Sequence, residues 1–275
     1  MARAGLCLAL IVGVIAGLVF AIDPSLDLRI SAVFYGPDAQ ALTGLGSIAL
    51  NALRIFNLAL IIMVMGVTGG ALIVRMSSSA APMLVPPRAA CLVLLVYLAG
   101  PALIANAIFK EHWSRPRPGH VTEFGGKHNF KPWWDPRGTC QQNCSFVSGE
   151  ASSAFAALAL AAIAPIGWRF RAVGAALLYG MLIGGIRILV GGHFASDVIF
   201  AGVFTALVVW AVHGLIYRWP TRVDEQEAQK RIDVFAARLR SRIITPLYGL
   251  LARWLGTRGR ASVPQSAVRL DSQPS

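Results

Sequence analysis

Apolar residues fill this chain in long blocks separated by short polar interruptions, and blocks of about 20 residues predict membrane-crossing helices. The first covers about Gly5 to Ile22 and is closed by Asp23, Pro24 and Asp27. Its apolar core is longer than a signal peptide's, and no clear cleavage site follows, so it reads as a retained span. Further spans are predicted at about Ile55–Val74, Ala89–Phe109, Phe146–Gly167, Ala172–Val190 and Val198–Ile216. Residues Leu28 to Arg54 are mixed in character, with Gly36-Pro37 as a turn signal, and are expected along the membrane surface. The fold expected is an all-α integral membrane bundle of about six transmembrane helices over residues 1–216. A basic tail, 217–275, follows, with an amphipathic helix from about Asp224 to Arg242 and then a disordered end.

Composition supports the pattern. Hydrophobic residues make up 56% of the chain and charged ones 14%, well under the roughly 25% charged content of soluble domains. The net charge of +12 does not indicate nucleic acid, because the basic residues lie between and after the apolar blocks rather than in one stripe. Anionic headgroups and the positive-inside bias account for that placement. Arg3, Arg75, Arg88, Arg169, Arg171 and the tail then share the cytoplasmic side, with both termini inside. Cys7 and Cys91 fall in apolar blocks and read as packing residues. Cys140 and Cys144 share a polar loop, where they form a disulfide if that loop faces an oxidising compartment and remain thiols otherwise. A lone pair of cysteines without nearby ligands is a poor zinc site, and the chain carries no glycine-rich nucleotide loop, so no cofactor is expected.

Charged groups next to membrane spans are costly and mark function. Between Lys110 and Cys144 lies the most polar stretch of the membrane portion, with three of the five histidines. There Lys110 offers a point charge and Arg117 a planar fork for phosphate oxygens, although a positive loop beside a span is common for other reasons. At the start of the fourth block, Ser148 and Gly149 place backbone amides at a helix N-terminus, which suits an anion and equally suits simple capping. Late in the chain, "IRILVGGHFASD" sets Arg187, His193 and Asp197 on one short turn. Asp197 lies one helical turn beyond the histidine, and Gly191 and Gly192 let the backbone pass close to a ligand. All three segments fall at the same membrane face, and that convergence argues for one site.

Lys110 followed by six residues and Arg117-Pro118, the Ser148-Gly149 segment, and Arg187 followed by five residues, His193, three residues and Asp197 resemble the three signature motifs of the type 2 phosphatidic acid phosphatase superfamily. The resemblance covers about Lys110 to Asp197, and the six-span layout is similar to that of membrane members. It implies a metal-independent phosphatase in which His193 attacks phosphorus, forming a phosphohistidine, and Asp197 orients it. Lys110, Arg117 and Arg187 would hold the phosphoryl oxygens, assisted by Ser148 and Gly149. The cysteine-bearing loop and "NCSFVSGEAS" are similar to lipid A 4'-phosphatase-like members.

The chain departs from the family pattern at two positions. Ile186 stands where a serine usually precedes the last motif's arginine, and Glu150 stands where a histidine usually protonates the leaving oxygen. Glu150 is expected to take over that acid role if it is kept protonated, with His120 or another loop histidine as a substitute; a carboxylate that merely favours the helix N-terminus is the plain alternative. The expected substrate is a lipid phosphomonoester or diphosphate: phosphatidic acid-type, polyprenyl diphosphate or lipid A. Lipid phosphotransfer by the same histidine and a non-catalytic lipid-binding or transport role are the alternatives. The expected location is a bacterial inner membrane with the site facing the periplasm; the oligomeric state is left open.

Overall fold

In an apolar solvent every backbone group must bond within its own segment, so the apolar blocks fold as helices. The computed structural model describes residues 3–35, 45–78, 82–219, 223–244 and 246–247. Among these, α1 is Arg3–Ile22, α2 Ser25–Tyr35, α3 Leu45–Ser77 and α4 Pro87–His112. Then come α5, Gly149–Ile163, α6, Ile166–Leu189, α7, Ala195–Arg218, and α8, Glu225–Leu239. No strand forms among the described residues. Helices α1, α3, α4, α6 and α7 are long and apolar enough to cross a membrane. Only 11% of the most apolar window of α1 is buried, against 44% for α7, so α1 stands at a perimeter that needs lipid and α7 lies inside.

The fourth predicted span is α5, and it is shorter than the others. It loosens at 156–157 and ends at Ile163, with Ala164 extended ahead of Pro165, which disfavours a helical residue before it. Its side chains are buried on nearly every face, including Ala151, Ala154, Phe155, Leu158 and Ala162. A helix apolar all round belongs inside a bundle. Close approach to it is made possible by Gly180 of α6, where an added Cβ would fall 2.1 Å from Phe155 Cδ1. Gly184 does the same for α7, at 2.2 Å from Val198 Cγ1.

In α4, Pro101 removes one backbone donor, and Leu98–Phe109 widens into a π-helical stretch. Asn106 Nδ2 donates to the Pro101 carbonyl at 2.7 Å, and Lys110 emerges just beyond this segment. The sequence places Leu28 to Arg54 along the membrane surface, but the structure divides that stretch. Helix α2 buries Asp27 and Ser31, residues 36–44 lie outside the described residues, and α3 begins at Leu45 rather than near Ile55.

The amphipathic tail helix forms as α8, with Asp224 Oδ1 accepting from Glu227 N at 2.7 Å as its cap. It docks on the bundle instead of standing apart in solvent. Arg75 donates to Asp233 at 2.9 and 2.7 Å, and the Arg240 guanidinium reaches the Ser77 carbonyl at 2.8 Å. This end is opposite the one where α4, α6 and α7 present the motif residues. The segment beyond 247, where the disordered end is expected, lies outside the described residues.

Candidate active site

Three breaks in the helices meet at one end of the bundle: the loop after α4, the N-terminus of α5, and the turn from α6 to α7. The loop is fastened to the bundle at several points. Trp113 Nε1 donates to the Trp133 carbonyl at 2.7 Å, Ser145 N to the Arg115 carbonyl at 2.8 Å, and Cys144 N to the Lys110 carbonyl at 3.2 Å. Beneath it, Phe146 packs against Phe109 and Trp113 with ring centroids 5.1 and 5.3 Å apart. Cys140 and Cys144 are joined in a disulfide. Gly119 N donates to the Gly191 carbonyl at 3.1 Å, tying this loop to the α6–α7 turn. Gly191 adopts φ +64°, a conformation glycine accepts without strain, and Tyr35 of α2 packs where its Cβ would be.

His193 is buried in that turn. Its Nδ1 lies 2.7 Å from the Ser145 carbonyl oxygen and 3.8 Å from Asp197 Oδ2. A carbonyl can only accept, so Nδ1 carries the proton and Nε2 keeps its lone pair. Burial lowers the imidazole's pKa from its ordinary 6.5, against the opposing pull of Asp197. Both effects suit a nucleophile: a neutral ring with a defined tautomer.

Asp197 is saturated with donors. Its Oδ2 accepts from Ser145 Oγ at 2.5 Å and Phe194 N at 2.8 Å, and its Oδ1 from Arg115 Nη1 at 2.5 Å. It therefore caps α7 and holds Ser145, whose carbonyl grips the histidine. Arg115 continues the network by donating to Asp27 Oδ2 at 2.7 Å, and Asp27 accepts from Ser196 as well. Arg115, Asp27 and Asp197 are almost wholly inaccessible. The sequence gives Arg115 and Ser196 no role, reads Asp27 only as closing the first span, and offers Ser145 only as a helix cap.

The cations are arranged more openly. The half-buried Arg117 donates from Nε and Nη2 to the backbone and side-chain oxygens of Asn143, at 3.0 and 2.6 Å. Burial pushes its guanidinium below the usual value, against the pull of Asp197 and Glu150. Arg187 is buried, and its Nε has no hydrogen-bond partner. Gly192 lies against it: a Cβ there would be 2.4 Å from Nη2. Arg117, Glu150 and Arg187 all lie within electrostatic range of Lys110, while Arg117 and Arg187 both act on His193.

Ser148 caps α5, with Oγ accepting from Ala151 N at 3.4 Å. A Cβ at Gly149 would meet Asn106 Oδ1 at 2.6 Å and Lys110 Nζ at 3.1 Å, so the absent side chain is what lets Lys110 lie over the helix end. Glu150 follows. Its two carboxylate oxygens accept from Arg54 of α3, Oε1 from Nη2 at 2.9 Å and Oε2 from Nε at 3.1 Å, and Oε1 lies 3.5 Å from Arg187 Nε. The sequence gives Arg54 no part in the site and names it only as the end of a surface stretch. His120, the substitute acid expected from the sequence, sits exposed in the turn after Arg117.

A cavity of about 680 Å³ opens beside this cluster, lined by Arg54, Lys110, Gly149 and Glu150 at one end and by Ile55, Leu58 and Ile61 of α3. Among the described residues, no cluster of histidine, cysteine and carboxylate side chains is arranged to hold a metal. The arrangement is suited to an anion presented to a neutral histidine: cations from three elements, helix-terminal amides and a prepared imidazole.

An all-helical membrane bundle with this constellation at one end defines a class of phosphoryl-handling membrane enzymes. The PAP2 superfamily model matches residues 89–221. A lipid A 4'-phosphatase of Francisella tularensis subsp. novicida is 35% identical over 225 residues, which is 79% of this chain and 98% of that protein. Lipid A 4'-phosphatases of Rhizobium leguminosarum and Rhizobium etli are 40% and 41% identical over 114 residues, which is 48% and 44% of their lengths. No solved structure matches the chain. The chain belongs to the PAP2 superfamily and is a membrane phosphatase.

Proposed function

We propose that this protein hydrolyses a lipid phosphomonoester, with the lipid A class as first candidate, and that His193 Nε2 is the nucleophile. The carrying observation is the Nδ1 contact to the Ser145 carbonyl, which leaves Nε2 bare beside cationic side chains. Nε2 attacks phosphorus, a P–N bond forms, and the P–O bond to the lipid breaks. The departing oxygen takes up a proton. Water then cleaves the P–N bond and releases inorganic phosphate, and Nε2 is restored.

Lys110, Arg117 and Arg187, with Ser148 and the Gly149 amide, bind the phosphoryl oxygens and offset their charge as it redistributes. Asp197 acts through Ser145 and the cap of α7, so its part is to position the histidine. The lipid A class is favoured by the relatives' names and by a cavity that joins a cationic end to an apolar wall. A periplasmic orientation is supported by the disulfide in the loop over the site and by Arg75, Arg88 and α8 at the opposite end.

The test is phosphate release by the detergent-purified protein from phosphatidic acid, polyprenyl diphosphate and lipid A, with chelator present. Release from lipid A that persists with chelator and vanishes in His193→Ala is the expected result. No release from any of the three would overturn the phosphatase reading, and loss with chelator would overturn the metal-free mechanism.

A further inference from the structure

Arg54 belongs to α3, outside the residues the family model matches. Its Nε and Nη2 meet both oxygens of Glu150 in the paired geometry that makes an arginine–carboxylate contact directional. On its other side the same carboxylate faces the Nε of Arg187 at 3.5 Å, and that buried nitrogen has no other partner. The Arg187 guanidinium is thus bounded by the Gly192 backbone on one side and by Glu150 on another. Arg54, Lys110, Arg117 and Arg187 all gather around Glu150. With so many positive charges nearby, a neutral carboxylic acid would leave the cluster still less balanced.

We propose that Arg54 is a positioning residue for the phosphate site: it fixes Glu150 as a carboxylate counter-ion, and Glu150 in turn aims Arg187 at the phosphoryl group. This rests on the phosphatase reading above and replaces the acid role expected for Glu150. The proton for the leaving oxygen then comes from water at the mouth of the cavity. Arg54 also lines that cavity beside the apolar face of Ile55, Leu58 and Ile61. A lipid whose phosphate reaches Lys110 therefore passes along the helix that carries it.

The test is a double-mutant cycle with Arg54→Gln, Glu150→Gln and the combination, assayed for kcat and KM on the substrate the parent turns over. If Arg54 works through Glu150, each single change lowers kcat/KM about tenfold and the double change lowers it about tenfold too, not a hundredfold. Arg54→Lys, which keeps the charge without the paired geometry, recovers part of the loss. Multiplying losses, or parental kinetics in Arg54→Gln, would each overturn the proposal. Should the parent release no phosphate, the phosphatase reading fails by itself. The same cycle read by calorimetric binding of inorganic phosphate still decides the coupling: non-additive weakening supports it, and additive weakening or none refutes it.

Discussion

Arg115 and Arg117 are separated by one proline and have opposite fates. Arg115 is fully buried and neutralised by two carboxylates, Asp27 and Asp197, with its guanidinium 4.4 Å from the centre of the Phe194 ring. Arg117 is half-buried, and its hydrogen bonds go to the neutral oxygens of Asn143. Both arginines are held in place, but only one has its charge cancelled. An arginine satisfied by carboxylates is closed to further anions, whereas one steadied by neutral acceptors keeps its field for a ligand. The same contrast sets the Asp27–Arg115–Asp197 interior against the more open cluster of Lys110, Arg117 and Arg187, where cations outnumber the one carboxylate, Glu150, that Arg187 shares with Arg54.

The division is broken most severely at His193, where the two regions touch. His193→Ala should lower kcat by at least about a thousandfold, because the nucleophile has no substitute in the turn. A single-turnover assay that still traps acid-labile, histidine-type phosphoprotein in this variant would sink the assignment. Next comes the closed side. Arg115→Met leaves Asp27 and Asp197 buried without their cation and should cost about 3–5 kcal/mol, read as a large fall in Tm in detergent. An unchanged Tm would mean that the interior network is not structural.

On the open side the pattern should reverse, with activity lost and stability kept. Arg187→Lys retains charge but loses the planar fork, and kcat/KM should fall about thirtyfold to a hundredfold with little change in Tm. A variant that loses Tm as heavily as Arg115→Met would erase the distinction between the two regions.

Much of the open side was legible in the sequence, because Lys110, Arg117, Ser148, Gly149, Arg187 and His193 carry their spacing with them, as does Asp197 at its border with the closed side. The closed side was not. Arg115 meets Asp197 across 82 positions and Asp27 across 88, and Arg54 meets Glu150 across 96, and no local period announces such pairs. Arg115 had no local signal either: alternate residues of an extended segment share a side, so the Arg-Pro-Arg-Pro spacing alone does not separate the buried Arg115 from the half-buried Arg117. Spans were legible from hydropathy, yet the short α5 was overdrawn because burial among other helices and burial in lipid demand the same apolar composition.

A smaller effect follows from the buried imidazole. Burial lowers the pKa of His193 below its ordinary 6.5, so the folded protein takes up that proton at a lower pH than the unfolded chain does. The contribution to stability is complete above pH 6.5 and is lost as pH falls below it, because the unfolded state binds the proton first. Activity should follow the folded value, with the acid limb of kcat/KM below pH 6.5. His193→Gln should flatten the corresponding slope of Tm against pH, and a parental slope in that variant would show that another group titrates.

The smallest expected effect probes how neutral acceptors keep Arg117 available. Asn143 adopts φ +50° within the disulfide-closed segment, which brings its backbone and side-chain oxygens to one guanidinium. Asn143→Ala removes one of the two acceptors and loosens the fork, for about 1 kcal/mol of lost placement, so KM should rise about fivefold with kcat nearly unchanged. Asn143→Asp sharpens the comparison further, since it gives Arg117 the carboxylate that Arg115 has. If cancelling the charge is what closes an arginine to phosphate, Asn143→Asp should raise KM more than Asn143→Ala does, although it makes the stronger bond. Equal KM values for the two variants would show that geometry alone, and not residual charge, sets what Arg117 contributes.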